Sequence, residues 1–299
     1  MSFVFSTIAL AANHTVLVIS DTESKIHDQV VNELQNQQFT EQAFNIEYRR
    51  LDQVNSNALR QNNIALVITL GYQAALLANR SDMVTLNTLL PKQSMADEKL
   101  CILAQCPELP RHYGLYLDQP IARQLNLLTT TLSGVKSVGV LTADFSVNKL
   151  EALKEQGKQR HLQINNRSVS SASEINNQLN ELVKESDVLL ALPDPLIHNR
   201  RTIPYLLLTS YRYNVPVIGF SKAYVNAGAI AAVYSSPRQI ARHIWELATR
   251  ILLAPKSMKQ RTYPPKYFSV NINRNVARSL EFHLPESEQI KLKLLRLEK

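Results

Sequence analysis

The sequence predicts an α/β fold with two doubly wound parallel-sheet halves, and three observations predict it. Short apolar runs alternate with longer segments whose apolar residues recur at helical spacing. Such alternation is the signature of a parallel sheet with helices on both faces. The pattern runs once to about residue 116 and restarts near residue 120. At about 150 residues per domain, a chain of 299 residues suits two domains.

In the first half, residues 15–19 form a buried strand that ends at Ser20 and Asp21. Ile26, Val30, Val31 and Leu34 then supply the apolar stripe of a helix. Residues 44–48 alternate as a strand, and 55–61 suit a short helix. Residues 65–70 are a second buried strand, stopped by Gly71, and a helix runs from Tyr72 to Asn79. Residues 84–86 and 100–103 are further strands.

In the second half, 119–132 is a helix with Pro120 in its first turn, where a missing N–H does no harm. Strand 137–141, helix 147–160 and one or two short strands at 162–164 and Val169 follow. Residues 173–184 open with Glu174, the polarity that suits a helix N-terminus. Strand 188–192 is closed by Pro193, and helix 201–213 tolerates an early Pro204. Strands 216–220 and 229–233 lead to helix 237–253, which starts at Pro237 and carries Ile240, Ile244, Leu247, Ala248 and Ile251 on one face. Residues 267–272 form a last strand and 273–281 a short helix. Beyond Pro285, Ile290, Leu292, Leu294, Leu295 and Leu297 among lysines suggest a terminal amphipathic helix.

Composition narrows the function. With 45% hydrophobic and 19% charged residues the chain is too apolar for disorder. Seven glycines and thirteen prolines exclude collagen-like or linker-like composition. Two cysteines, Cys101 and Cys106, cannot make a disulfide framework or a four-thiolate zinc site. They either close one small loop in an oxidising compartment or stay as thiols. No run of about 18 apolar residues offers a membrane span. Residues 1–12 have the apolar core and small-residue cleavage pattern of a secretory signal, but lack a basic start, so an N-terminal strand is the other reading.

The net charge is +8, from 33 basic and 25 acidic residues. It is compatible with nucleic acid, an anionic membrane, an anionic ligand or simple solubility. The basic residues are dispersed, with small groups at Arg49-Arg50, Arg200-Arg201 and 291–299, and no helix-turn-helix precedes the first strand. A nucleic-acid partner is therefore not expected. Glycine-rich dinucleotide and phosphate loops and the nucleophile elbow are absent, so no enzyme class and no cofactor is implied. The seven histidines do not form a metal set.

The second half carries an ordered set of features: Asn148 at a helix start, Pro193-Asp194 after a strand, residues 214–221 (Asn-Val-Pro-Val-Ile-Gly-Phe-Ser), 225–229, and a helix from Pro237. Residues 268–273 with Ala277 close the series. Together they resemble the periplasmic solute-binding proteins of ABC importers, close to the tryptophan- and tyrosine-binding components, over residues 16–285. The resemblance implies a type I periplasmic-binding fold whose chain crosses between lobes three times. Residues 13–117 with 236–264 would form one lobe, 118–235 with 265–285 the other, and 286–299 a C-terminal tail. It also implies a periplasmic location, a small solute such as an amino acid or other polar or aromatic molecule, and an inner-membrane permease as partner. In place of the family's Pro-Asn-Ser-like turn stands the segment 142–148. That departure motivates a second reading, a ligand-sensing protein acting with a sensor kinase or an outer-membrane receptor.

Ligands of open α/β sheets bind beyond the carboxyl ends of the strands. The candidates in the first half are Ser20, Asp21, Thr69, Gly71 and Tyr72, and in the second Thr142, Asp144, Asn148, Asp194, Ser221 and Tyr224. Gly71 lets backbone approach a ligand, or simply makes a strand-to-helix turn. Asp194 takes an ammonium or hydroxyl, or caps the next helix. Tyr72 and Tyr224 stack on a flat ligand, or pack. His198, Arg200 and Arg201 form either an anion-contacting rim or a solvated loop.

Overall fold

A computed structural model describes residues 15–21, 24–36, 44–54, 59, 63–100, 102 and 112–298. The expected signal segment 1–12, the helix at 55–61 and both cysteines lie outside the described residues, the helix except for Leu59. The first part of the chain forms β1 (Thr15–Ser20), α1 (Lys25–Gln35), β2 (Asn45–Arg50), β3 (Ile64–Leu70), α2 (Tyr72–Ala78), β4 (Thr85–Leu90) and β5 (His112–Tyr116). Next come α3 (Ile121–Thr131), β6 (Ser137–Thr142), α4 (Leu150–Lys158), β7 (Gln163–Ser168), α5 (Ile175–Leu182), β8 (Val188–Leu190), α6 (Thr202–Arg212), β9 (Val217–Gly219), α7 (Lys222–Ala227) and β10 (Ala231–Tyr234). The chain ends with α8 (Pro237–Leu253), β11 (Thr262–Tyr263), β12 (Ser269–Ile272), α9 (Arg274–Ser279) and α10 (Ser287–Leu297).

Among the described residues the strands form two six-stranded sheets, ordered β11-β5-β4-β3-β1-β2 and β12-β10-β9-β8-β6-β7. Every pairing is parallel except β10 with β12. The fold class is the predicted one. The chain divides into two compact units, residues 1–118 with 236–267 and residues 119–235 with 268–299. Each sheet shows the doubly wound order in which the first strand lies between the second and third, so the loops after the first and third strands diverge.

Parallel sheets are buried on both faces, and alternate residues of each strand sort to opposite sides. In the first unit, Val16, Val18, Leu66, Ile68 and Leu86 pack with Val30, Val31 and Leu34 of α1 and with Ile240, Ile244, Leu247 and Ile251 of α8. Their neighbours Leu17, Ile19 and Val67 face Ala74 and Ala78 of α2. In the second unit, Val138, Val140, Val188, Leu190 and Val233 pack with α3, Leu153 of α4, and Ile290 and Leu294 of α10. Leu141, Leu189, Val217 and Ala232 pack with α5, α6 and α7. The amphipathic helix expected beyond Pro285 thus forms α10, and its buried leucine and isoleucine belong to the second core.

One sequence reading needs correction. The strand expected at 100–103 does not form at its described positions: Leu100 ends a 3-10 turn and Ile102 lies in no regular element. Leu100 and Ile102 instead bury their side chains beneath Ala75 and Leu90. The strand pairing with β4 on that side is β5, which is short and contains Gly114, where an added Cβ would fall 2.6 Å from the Met95 sulfur.

A buried polar ladder runs through the first unit. Thr69 donates to Asn87 Oδ1 at 2.9 Å, Asn87 donates to Thr85 Oγ1 at 3.0 Å, and Thr85 donates to Asn79 Oδ1 at 2.7 Å. Thr85 has spent its one proton, so the 2.9 Å contact with His112 Nδ1 requires the imidazole to donate. His112 Nε2 is then a bare acceptor, buried without a partner. Burial, aided by the positive charge of Arg261, lowers the His112 pKa to about 4, and burial likewise lowers His243 to about 4.

Between about pH 6.5 and 4 the unfolded chain binds protons at these histidines that the folded chain refuses, so stability rises with pH across that window. It is fully present above 6.5 and lost as pH falls towards 4. His112→Asn keeps a donor for Thr85 and removes the titration. Urea unfolding of this variant between pH 7 and 4.5 is expected to show a shallower loss of stability than the parent; equal slopes would contradict the assignment.

Candidate functional site

Both sheets gather polar groups at the carboxyl ends of their strands, around the point where the loops diverge. In the first unit this point lies between β1 and β3. Asp21 follows β1 directly, and its Oδ2 accepts the Gln73 N–H of α2 at 3.1 Å. Gly71, between β3 and α2, adopts φ +101°, and a Cβ there would fall 2.2 to 2.3 Å from the Asp21 carboxylate. The glycine is therefore demanded twice, by backbone conformation and by the carboxylate lying against it. Ser20 is buried, and its hydroxyl meets His27 Nδ1 at 2.9 Å, which lies 3.6 Å from Asp21 Oδ1. Burial lowers the His27 pKa, partly offset by Asp21 and Asp28.

A cavity of about 260 Å³ opens here, lined by Ser20, Asp21, Arg50, Leu51 and Asp52. Arg50 ends β2, and its Nε lies 3.7 Å from Asp52 Oδ1. Sequence reading placed Arg50 only in a dispersed basic pair. The signal available was its position at the end of the strand next to β1.

Tyr72 opens α2 and donates its hydroxyl to Asp97 Oδ2 at 2.6 Å. That bond raises the tyrosine pKa and lowers that of Asp97, whose other oxygen accepts the Lys99 N–H at 2.9 Å. Thr69 lies apart, fully buried in the ladder described above.

The second unit places Asp194 at the equivalent point, between the ends of β6 and β8. It is only 3% exposed. Its Oδ1 accepts the Leu196 N–H at 3.0 Å, and its Oδ2 accepts the Ser146 hydroxyl at 2.8 Å. Ser146, fully buried, also accepts the Ala143 N–H at 3.0 Å. The loops after β6 and β8 are thus tied side chain to side chain. Sequence reading missed Ser146, because nothing local marks a serine as the partner of an aspartate 48 positions later.

The other second-unit candidates divide by burial. Asp144 and Asn148 are exposed on the loop after β6. Thr142 is fully buried and donates to Asn166 Oδ1 at 2.9 Å. Ser221 caps α7 by accepting the Tyr224 N–H at 3.1 Å. Tyr224 is 2% exposed, its ring lies edge-on to Phe220, and its hydroxyl meets His198 Nδ1 at 3.0 Å.

His198 corrects the sequence reading of the 198–201 segment as a rim or solvated loop. Its ring packs edge-on against Phe220 and Tyr224, its backbone N–H donates to the Asp194 carbonyl at 2.8 Å, and Nε2 is buried. Burial lowers its pKa to about 4. A void of about 10 Å³ adjoins it, lined otherwise by apolar side chains including Leu141, Leu189 and Val217. Arg200 and Arg201 remain exposed. Among the described residues no group of three His, Cys, Asp or Glu could hold a metal ion, and no helix is long and apolar enough to cross a membrane.

The family described as ABC transporter substrate binding protein matches residues 114–291, and the chain belongs to it. The fold agrees with solved structures. The ligand-free, open structure of a substrate binding protein with adhesive properties from Clostridium difficile aligns over 92% of this chain and 97% of that one, with TM-score 0.71 and 18% identity. A Streptococcus pneumoniae domain in complex with L-Trp aligns over 92% and 97%, with TM-score 0.61 and 17% identity. A tyrosine-binding protein of Clostridioides difficile is 25% identical over 135 residues, which span 44% of this chain and 39% of that relative.

Two substitutions test the geometry. Gly71→Ala is expected to lower the unfolding free energy by about 1–3 kcal/mol, since a side chain at positive φ is strained and meets Asp21. Ser146→Ala leaves one oxygen of a buried carboxylate short of a donor, at a cost of about 1–3 kcal/mol. Urea denaturation checks both; losses within 0.5 kcal/mol (roughly the surface-substitution range) would contradict them.

Proposed function

We propose that this protein is the periplasmic receptor of an ABC importer, that it holds a small solute of the amino-acid class, and that it delivers that solute to an inner-membrane permease without chemical change. The family membership of residues 114–291 is the observation that carries the reading. The ligand-bearing surfaces would be the two sets of strand ends, brought onto one solute by closure of the lobes. Closure is favoured only in so far as the solute binds the closed form better than the open one.

The charge pattern over β1 and β2 supports a zwitterion. Arg50 offers a guanidinium suited to a carboxylate, and Asp21 and Asp52 line the same cavity and suit an ammonium. In the second unit Asp144 and Asn148 are the exposed polar side chains beside the loop that Ser146 and Asp194 hold in place. Tyr72 supplies a half-exposed ring at the start of α2. The sharing of L-Trp and tyrosine by similar proteins motivates an aromatic amino acid as the first probe.

A thermal-shift screen against amino acids, nucleosides, sugars and anionic metabolites tests this reading. A ligand at 100 times its Kd adds about 2.7 kcal/mol to stability. Amino acids are expected to raise Tm, and calorimetry is expected to show roughly tenfold weaker binding for Arg50→Ala and for Tyr72→Ala, the loss of about 1.4 kcal/mol. A response confined to sugars or nucleosides, or unchanged affinity in both variants, would overturn the site.

A further inference from the structure

The chain passes from one compact unit to the other three times, after Asp118, after Ser235 and after Tyr267. The second unit's terminal residues at these crossings are therefore Gln119, Ser235 and Phe268. Gln119 and Phe268 meet at one side chain, Arg123 of α3, and Ser235 is joined to it through Gln119. Its Nη1 donates to Gln119 Oε1 at 2.7 Å, and the Gln119 amide passes the connection on by donating to Ser235 Oγ at 2.9 Å. Its guanidinium carbon stands 4.1 Å from the centre of the Phe268 ring. The charge is balanced by Glu298, just beyond α10, which accepts Nε at 2.5 Å and Nη2 at 2.7 Å.

We propose that Arg123 is the positioning residue of the hinge, and that Glu298 sets its strength. Arg123 is only 5% exposed, so its charge has little water and depends on these partners. Two parallel N–H···O bonds to a carboxylate fix the plane of the guanidinium, and Nη1 and the flat face fall on the crossing residues Gln119 and Phe268. Lysine, a point charge without a fork or a stacking face, cannot make the same set. Gln119 is fixed further by its own carbonyl, which accepts the Gln124 side-chain amide at 2.8 Å. Three strands of chain that are far apart in sequence thus leave the second unit as one fastened group. Bending during closure then falls on the residues beyond that group, on the first-unit side of each crossing. The cluster acts on ligand affinity through the open–closed equilibrium.

The consequence for affinity rests on the proposed solute-binding role, but the clamp itself does not, and the test separates them. Hydrogen exchange of the ligand-free full chain is compared between parent, Glu298→Gln and Arg123→Lys. The clamp predicts at least tenfold faster exchange in peptides covering all three crossings, around residues 119, 235 and 268, with the β1, β3 and β4 strands unchanged. Faster exchange confined to α10 and the start of α3 would reduce Arg123 to a local anchor and overturn the proposal, as would no change. If Glu298→Gln loosens the whole second unit, Gln119→Met decides. It cuts only the relay to Ser235, and is expected to speed exchange at the 119 and 235 crossings while leaving α10 protected; parental exchange at 235 would overturn the relay. With L-Trp or L-Tyr as probe, Glu298→Gln is expected to shift Kd at least threefold. A shift in exchange without binding of either probe would sink the ligand class and leave the clamp standing.

Discussion

A parallel sheet must be covered on both faces, and that constraint governs both units. Helices on both sides oblige the chain to cross over after each strand, so strands of one sheet end along the same edge. Apolar side chains occupy the faces, which leaves that edge as the place where polar groups collect. Reversal of the winding direction after the second strand parts two loops there. In each unit an aspartate secures the parted loops, Asp21 reaching the start of α2 and Asp194 reaching Ser146. The two solutions differ in detail. Asp21 needs the missing side chain of Gly71 to make room, whereas Asp194 is closed in by a hydroxyl and a backbone N–H.

Much of this architecture was legible in the sequence, and for identifiable reasons. Strands β1, β3 and β8 are continuous apolar runs, the pattern of a strand buried on both faces. Helix α8 was legible to the residue because Ser236 and Gln239 form a capping box around Pro237 and the apolar stripe runs unbroken to Ile251. Strand β5 was not, because it is short, contains a glycine, and owes its place to pairing with β4 and β11. Helix α7 has only six residues, too few to display a period.

The site was legible by position more than by side chain. Ser20, Asp21, Thr142 and Asp194 end or follow strands β1, β6 and β8, as the sequence suggests, yet exposure at a strand end cannot be read from one residue. Thr69 and Thr142 face neighbouring strands and spend their hydroxyls on Asn87 and Asn166. His198 looks like a polar loop residue beside two arginines, and the partial burial of its ring arises only when Phe220 and Tyr224 arrive from more than twenty positions away. The net charge of +8 explains none of this. Its structural role is local, as where Arg123 meets Glu298 and where Lys266 and Arg242 flank Glu246 and Tyr267.

The interleaving of the two units governs the order in which the molecule can be built. The sheet of the first unit gains the cover of α8 only after residues 119–235 have been made, because Ile240, Ile244 and Leu247 share a core with Val16 and Leu66. The second unit in turn waits for Phe268, Ile290 and Leu294. The first unit cannot finish before residue 267 is made, nor the second before α10, and contacts so distant in sequence slow folding. A chain halted at residue 235 would not be half a protein. It would be two unfinished sheets with bare apolar faces, open to aggregation and proteolysis.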